Sequence, residues 1–183
     1  MATQEDVLAA TQRWLERAVI GLNLCPFAKA VHVKGQVRMQ VCAASEGTEV
    51  MEALQDELRF IAASDAQAHD TTLLVLPGAF DDFLEFNRLA AQGERLVRKL
   101  GLSGVIQLAS FHPRFQFAGT DEDDIGNFTN RSPYPTLHLL REESIDRAVQ
   151  AFPDASAIYD TNIRTLQRLG LAGWDALDVG PKQ

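Results

Sequence analysis

Residues 71–78, TTLLVLPG, form the stretch that decides the fold. The apolar run is continuous rather than alternating, and Pro77 and Gly78 end it. A short continuous run of this kind is typical of a strand that is buried on both faces of a sheet. We therefore predict a central strand here, in a sheet with helices packed on it.

Helical and strand patterns alternate on both sides of this run. Ahead of it we predict a helix, a strand and a second helix, over residues 3–20, 37–42 and 48–63. After it we predict a helix, a strand, a long loop, another strand and two helices, with the regular elements over residues 81–100, 105–109, 136–140, 142–151 and 155–169. This alternation predicts a layered α/β fold, and its helical crossovers favour parallel pairing of the central strands.

The predicted domain organisation is simple. The chain has 183 residues, and no internal repeat, linker or low-complexity tract divides it. A chain of this length buries enough surface for one core. We predict a single α/β domain over residues 1–183, with a mixed sheet of about four strands, parallel central strands and a long loop before the last strand.

Composition excludes several classes of partner. The net charge of −8 and the pI near 4.9 argue against binding to the phosphate backbone of nucleic acids. No apolar run reaches the roughly 18 residues of a membrane span, and the N-terminus lacks the pattern of a signal peptide. Two cysteines, Cys25 and Cys42, are too few for a disulfide scaffold. We expect a cytoplasmic protein with neither a nucleic-acid nor a membrane partner, and the oligomeric state stays open.

The segment SFHPRFQF, residues 110–117, is the first candidate for chemistry. Phe111, Phe115 and Phe117 share one strand parity, whereas His112 and Arg114 share the other. We expect the aromatic side chains to pack on the core and the polar side chains to point away from it. The segment runs into a loop over residues 118–135, and unstructured loops of that length are usually functional or mobile.

Polar side chains concentrate around this loop. Within about thirty residues there are two imidazoles, three guanidiniums and two amides: His112, His138, Arg114, Arg131, Arg141, Asn127 and Asn130. Ligands of open α/β sheets bind on loops beyond the carboxyl ends of the strands, so this set predicts a pocket for a small carboxylate or phosphate. The arginines would hold the anion and the asparagines would orient it. His112 is the best candidate for an acid or base, because a histidine moves a proton near neutral pH.

A structural alternative explains the same residues. The carboxylates of residues 121–124 stand next to the arginines in the sequence and could pair with them. Asparagine and serine side chains commonly bond the backbone of their own loop. Both interpretations stay open at the level of the sequence.

Cys25 is the second candidate. Proline is favoured at the first position of a helix, so Pro26 would place Cys25 at the N-cap, where the pKa of a thiol falls. The residues Cys25-Pro26-Phe27 resemble the catalytic segment of omega-class glutathione transferases, whose pattern the rest of the chain does not follow. The alternative is a small buried residue, since free cysteines are among the most buried residue types.

The sequence predicts no metal and no cofactor. DEDDIGN, residues 121–127, is similar to a calcium loop, but Ile125 and Ser132 stand where that loop needs oxygen ligands and a glutamate. His112 and His138 lack the close spacing of a zinc pair. The chain has no glycine-rich dinucleotide motif, no P-loop and no nucleophile elbow.

Four longer stretches resemble a known family. They read WLERAVIGLNLCPFAK, LLVLPGAFDDFLEFN, SFHPRFQF and NFTNRSPYPTLHLLREESIDRA. Together they resemble a bacterial family catalogued as domain of unknown function 1415, from about Val7 to about Leu177. The resemblance implies a single-domain cytosolic protein, and it brings no catalytic residues with it.

The residues therefore predict a small-anion site on the 111–141 segment, and whether the protein is an enzyme stays open. Two other functions remain as alternatives. A non-catalytic adaptor module would show an exposed apolar patch near Phe128 and Tyr134. A thiol-based redox protein would use a reactive Cys25.

Overall fold

The structure is a computed structural model of the chain, and it describes residues 2–151 and 156–181. Six α-helices are α1 Gln4–Trp14, α2 Ala28–Val33, α3 Gly47–Ala63, α4 Phe83–Lys99, α5 Glu142–Ala151 and α6 Ser156–Ala176. Four strands are β1 Val37–Val41, β2 Thr71–Val75, β3 Ile106–Phe111 and β4 Thr136–Arg141. A π-helix at Leu15–Ile20 continues α1, and a 3₁₀ helix spans Ile125–Asn130. The predicted start of the last helix, residue 155, lies outside the described residues.

The four strands form one mixed sheet in the order β1-β2-β4-β3. This confirms an α/β domain with a four-stranded mixed sheet and a long loop before the last strand. The central pair, β2 and β4, is antiparallel, whereas the parallel pair is β1 and β2. The prediction of parallel central strands is wrong because the long loop after β3 returns the chain in the opposite direction and inserts β4 between β2 and β3.

Helices cover both faces of the sheet. On one face α3 and α4 pack on β2 and β4 through fully buried side chains such as Leu54, Phe86, Leu74 and Leu137. On the other face α1 and the π-helix pack on Leu73 and its neighbours. Every residue of β2 is buried, which explains why its sequence is apolar without alternation. Among the described residues, no helix is both long enough and apolar enough to cross a membrane.

Local signals place most helix ends. The Thr3 hydroxyl caps α1 by accepting from Asp6 N, and the Asp6 carboxylate accepts from Thr3 N, which completes a capping box. Asp82, one residue after the predicted start of this helix, caps α4 by accepting from Glu85 N at 2.9 Å. Residues 28–33 form α2, a helix that is not among the predicted elements, and Val33 in it is exposed.

Candidate functional site

The predicted site lies on the connecting loop, residues 112–135, at one edge of the sheet. β1, β2 and β3 all end at this edge, and β4 starts there, since Val75 pairs with both Val41 and Thr136, and Thr136 pairs with Phe111. Loops that gather at the carboxyl ends of strands are the usual place for a ligand in an α/β sheet. The connecting loop therefore has the position that the sequence predicted.

Two asparagines hold the connecting loop together from inside. Asn127 is fully buried, and its Oδ1 accepts from Phe117 N at 3.0 Å and from Thr120 Oγ1 at 2.9 Å. Its Nδ2 donates to Asp121 O at 2.8 Å. Asn130 Nδ2 donates to Ser110 O at 3.3 Å and ties the loop to β3. These amides bond mostly to backbone atoms of the protein, as the structural alternative predicted.

Arg131 is built into the same loop. Its Nε donates to Phe115 O at 3.3 Å, and its Nη2 donates to Glu122 O at 2.6 Å. Its guanidinium carbon lies 4.3 Å from the centroid of the Phe128 ring, in cation–π geometry. Burial lowers the pKa of Arg131, the Glu122 charge raises it, and the charge of Arg114 lowers it further. The guanidinium is therefore fixed in place and lies near a second cation.

Arg114 is the exposed member of this pair of arginines. Its side chain is 61% exposed, and Nη2 lies 3.3 Å from Glu122 Oε1, whose side chain is also exposed. Glu122 thus meets both arginines, Arg131 through its carbonyl oxygen and Arg114 through its carboxylate. We name this set of Arg114, Glu122 and Arg131 the arginine pair site.

His112 lies inside the core, so the prediction that it points away from the core is wrong. Only 1% of the residue is exposed, and its ring packs between Phe83 and Phe86 of α4 at centroid distances of 5.3 and 5.1 Å. The physical reason is that β3 ends at Phe111 and a turn begins, so strand parity no longer applies at residue 112. Burial lowers the pKa of His112, which keeps the imidazole neutral.

The aromatic residues of the same segment also separate. Phe111 packs edge-on against Trp14 on the α1 face, at 5.0 Å between centroids. Phe115 packs on Phe83 of α4, and Phe117 packs on Tyr159 of α6. Each of the three phenylalanines therefore packs on a different helix. They diverge because the chain turns after Phe111 and no longer alternates as a strand.

His138 and Arg141 lie on β4, away from the arginine pair site. His138 pairs with Leu73 and Ala109 in the sheet, and burial lowers its pKa to about 4. Thr71 Oγ1 donates to Leu139 O at 2.8 Å, so the contact of 2.6 Å between Thr71 Oγ1 and His138 Nε2 has the imidazole as donor. Arg141 ends β4 at the opposite edge of the sheet, where Nη2 donates to Ile61 O and Ser64 O. The structure does not bring these two residues to the predicted pocket.

Cys25 is not at a helix N-cap. α2 begins at Ala28 with Phe27 as its N-cap residue, and the Cys25 carbonyl oxygen accepts from Ala28 N at 3.3 Å. Cys25 is half-buried and packs against the cluster of Trp14, Leu15 and Leu73. The expectation of a thiol at a helix end is therefore corrected, because the turn after Pro26 delays the helix.

The described part of the chain lacks both the metal cluster and the exposed apolar patch that other kinds of site would need. No group of three or more potential metal ligands occurs there. Phe128 and Tyr134 are both buried, so they do not form the exposed patch that an adaptor module would show. An open groove of about 360 Å³ lies beside β1, between Leu8, Gln12, His32 and Met39, and contains none of the predicted site residues.

Tyr134 and Arg13 are two further polar residues near the connecting loop. The sequence did not link them to each other. Tyr134 lies in the turn before β4 and is 8% exposed, and its hydroxyl has no hydrogen-bond partner. Arg13 of α1 donates from Nε to Asp178 O at 2.7 Å, whereas its buried Nη2 has no partner. Nothing in the sequence pairs these residues, because helix α1 and the turn are more than a hundred positions apart.

The comparisons with known proteins give one match. No curated protein and no solved structure matches the chain. A family model described as "Protein of unknown function (DUF1415)" matches residues 6–176, which is most of the chain. The chain therefore belongs to this family of proteins of unknown function.

Proposed function

We propose that the protein binds a small anion, a carboxylate or a phosphate, at the arginine pair site. The observation that carries the proposal is the position of Glu122. Its carboxylate lies 3.3 Å from Arg114 Nη2, and its charge also acts on Arg131. The chain's own carboxylate therefore occupies the place that an anionic ligand would take, and the ligand would displace it.

Displacing the Glu122 carboxylate from Arg114 costs little free energy. Its side chain is 68% exposed and that of Arg114 is 61% exposed. Ion pairs between exposed side chains contribute roughly 0–1 kcal/mol, because water screens the charges and both chains lose freedom. A ligand with two or three anionic oxygens can accept from both guanidiniums at once, which a single exposed glutamate does only in part.

The fixed guanidinium of Arg131 supports this function. Two backbone carbonyls and the Phe128 ring hold it before any ligand arrives. A group that is already ordered loses little conformational entropy on binding. The charge of Arg114 lowers the pKa of Arg131, which adds a second reason, since two neighbouring cations gain from an anion between them.

The proposal concerns binding and leaves His112 without a chemical role. Both of its ring nitrogens bond within the protein, so neither reaches a ligand. We place the protein in the bacterial cytoplasm, as a binder of small acidic molecules. The net charge of −8 favours neither nucleic acids nor anionic membrane surfaces as partners.

Calorimetric titration with citrate, succinate and inorganic phosphate at low ionic strength tests the proposal. Glu122→Gln removes the internal competitor, so the affinity should rise by about two- to fivefold, and Arg114→Met should lower it by about tenfold. The exposed pair of Glu143 and Arg147 provides matched controls. Glu143→Gln and Arg147→Met should leave the affinity unchanged.

The proposal fails if no saturable binding occurs with any of the three anions. It also fails if Glu122→Gln and Glu143→Gln raise the affinity equally, because the gain would then reflect net charge alone. Arg131→Met is a poor first test, since it also removes two bonds that hold the connecting loop.

A further inference from the structure

We infer that a second anion site, separate from the arginine pair site, lies between α1 and the turn before β4. In it, Arg13 Nη2 and the Tyr134 hydroxyl donate to an oxygen of a small carboxylate such as formate or acetate. We name it the α1 site. The inference rests on geometry that is independent of Arg114, Glu122 and Arg131.

The first step is the arrangement along α1. Asp6, Ala10 and Arg13 recur at spacings of four and three residues, so they share one side of the helix. Ala10 and Val7 pack directly on Tyr134 in a small buried cluster. The charges of Asp6 and Arg13 both act on the pKa of Tyr134, which puts both side chains near the phenol.

The second step is that two polar atoms there are buried without partners. The Tyr134 residue is more than nine-tenths buried, and its hydroxyl is sealed from solvent with no hydrogen bond. Arg13 Nη2 is sealed in the same way, although Nε of the same guanidinium donates to Asp178 O. Leaving one buried polar group unsatisfied is costly, and native proteins rarely do so. Two such groups, on residues close enough for the Arg13 charge to act on the phenol, indicate an occupant.

The third step is that an anion satisfies these groups better than water does. Arg13 only donates, and the Tyr134 phenol keeps its proton, because burial, the largest cause, and the Asp6 charge raise its pKa. A water molecule would accept from both and then need acceptors for its own two hydrogens. A carboxylate oxygen carries no hydrogen, so it leaves nothing unmatched.

The nearby carboxylates are already engaged. Asp6 accepts from Thr3 N and Thr3 Oγ1 in the capping box. Asp178 lies 3.7 Å from Arg13 Nε and 3.5 Å from Arg17 Nη1, and its side chain is 69% exposed. Neither reaches the unpartnered Nη2 of Arg13. Because the two donors are sealed from solvent, the occupant has only a few atoms.

The chain offers a direct probe, because it contains only two tyrosines, Tyr134 and Tyr159. In the double variant Tyr159→Phe with Arg114→Met, all tyrosine signals report Tyr134 and the arginine pair site is weakened. With tyrosine labelled at the ring carbon that bears oxygen, titration with formate at constant ionic strength should shift the Tyr134 resonance. The shift should saturate with a dissociation constant on the order of 1 mM, which is the range for a ligand of three heavy atoms.

Three further variants decide the result. Tyr134→Phe removes a hydroxyl that bonds to nothing, so it should fold normally and lose the rise in Tm that formate produces. Arg13→Met should lose the shift of the Tyr134 resonance. Arg17→Met is its matched control and should keep the shift, since Arg17 donates to Leu177 O and pairs with Asp178. The inference is overturned if formate leaves that resonance unchanged, or if Tyr134→Phe keeps the full formate-induced rise in Tm.

Discussion

His112 joins two loops at the carboxyl edge of the sheet through both nitrogens of its ring. Nε2 donates to the carbonyl oxygen of Phe80 at 2.9 Å, and Nδ1 accepts from Arg114 N at 2.9 Å. The imidazole is therefore neutral and fixed in one tautomer. It links the segment after β2 to the connecting loop that carries the arginine pair site.

Replacing His112 should destabilise the protein in steps. His112→Asn keeps an acceptor near the position of Nδ1, and His112→Gln keeps a donor near Nε2, so each should lose one bond and about 1–3 kcal/mol of unfolding free energy. His112→Phe loses both bonds and should cost more than either. Urea denaturation measures all three. Wild-type stability of His112→Phe would show that the two bonds contribute nothing.

His138 predicts how stability depends on pH. Its pKa is about 4 in the fold against 6.5 ordinarily, so the unfolded chain takes up a proton first as the pH falls. The contribution of His138 to the free energy of unfolding is then fully present above pH 6.5. It declines by about 3 kcal/mol in all as the pH falls towards 4. The lowered pKa of His112 acts in the same direction.

Two measurements test this dependence on pH. In urea unfolding of the wild type, His138 should make the free energy of unfolding about 2 kcal/mol lower at pH 5 than at pH 7. The variant His138→Gln should show a smaller difference. NMR titration of the ring should place its midpoint near 4, and a midpoint above 6 would contradict the prediction.

The fold was largely predictable from local patterns, whereas the strand order was not. The unbroken apolar run of β2 and the alternation of β1 appear in any short window of sequence. The insertion of β4 between β2 and β3 depends on pairing between distant residues, such as Thr71 with Leu140. No window of sequence contains that information.

The position of the connecting loop was predictable from the sequence, but the contacts of its side chains were not. Loop length located the connecting loop, and the residue types of Asn127 and Arg131 indicated their polar contacts. The parity rule failed at His112 because Pro113 follows β3 in a turn. Arg141 was grouped with the loop by closeness in sequence, but a strand of six residues is roughly 20 Å long and carries it to the other edge.

Gly93 lets α4 approach the sheet closely. A Cβ atom added there would lie 2.6 Å from Leu108 Cδ2 and 2.9 Å from Leu54 Cδ2. Gly93→Ala should therefore destabilise the protein by about 1 kcal/mol, because the overpacking cost of about 1–3 kcal/mol exceeds the gain in helix propensity of about 1 kcal/mol. Urea denaturation measures the change.

A second background makes the Gly93 prediction specific. In a Leu108→Ala variant the nearest obstacle is gone and only the contact with Leu54 Cδ2 remains, so Gly93→Ala should cost less there than in the wild type. An equal loss in both backgrounds would show that the close approach of Leu108 is not the cause.

Arg141 should stabilise the C-terminal end of α3 and have no part in anion binding. Its Nη2 lies 2.7 Å from Ile61 O and 2.8 Å from Ser64 O, and its Nε donates to His69 O at 3.1 Å. A cation at a helix C-terminus satisfies the last carbonyls and opposes the negative end of the helix dipole. Arg141→Met should lower the free energy of unfolding by about 2–3 kcal/mol, and Arg141→Lys should lower it less because lysine keeps the charge without the planar fork.

Hydrogen exchange in Arg141→Met should quicken at Ser64 N, which donates to Phe60 O. The affinity for citrate should stay unchanged, because Arg141 lies at the opposite edge from Arg114. A loss of citrate affinity in Arg141→Met without faster exchange at Ser64 would instead put Arg141 at the anion site.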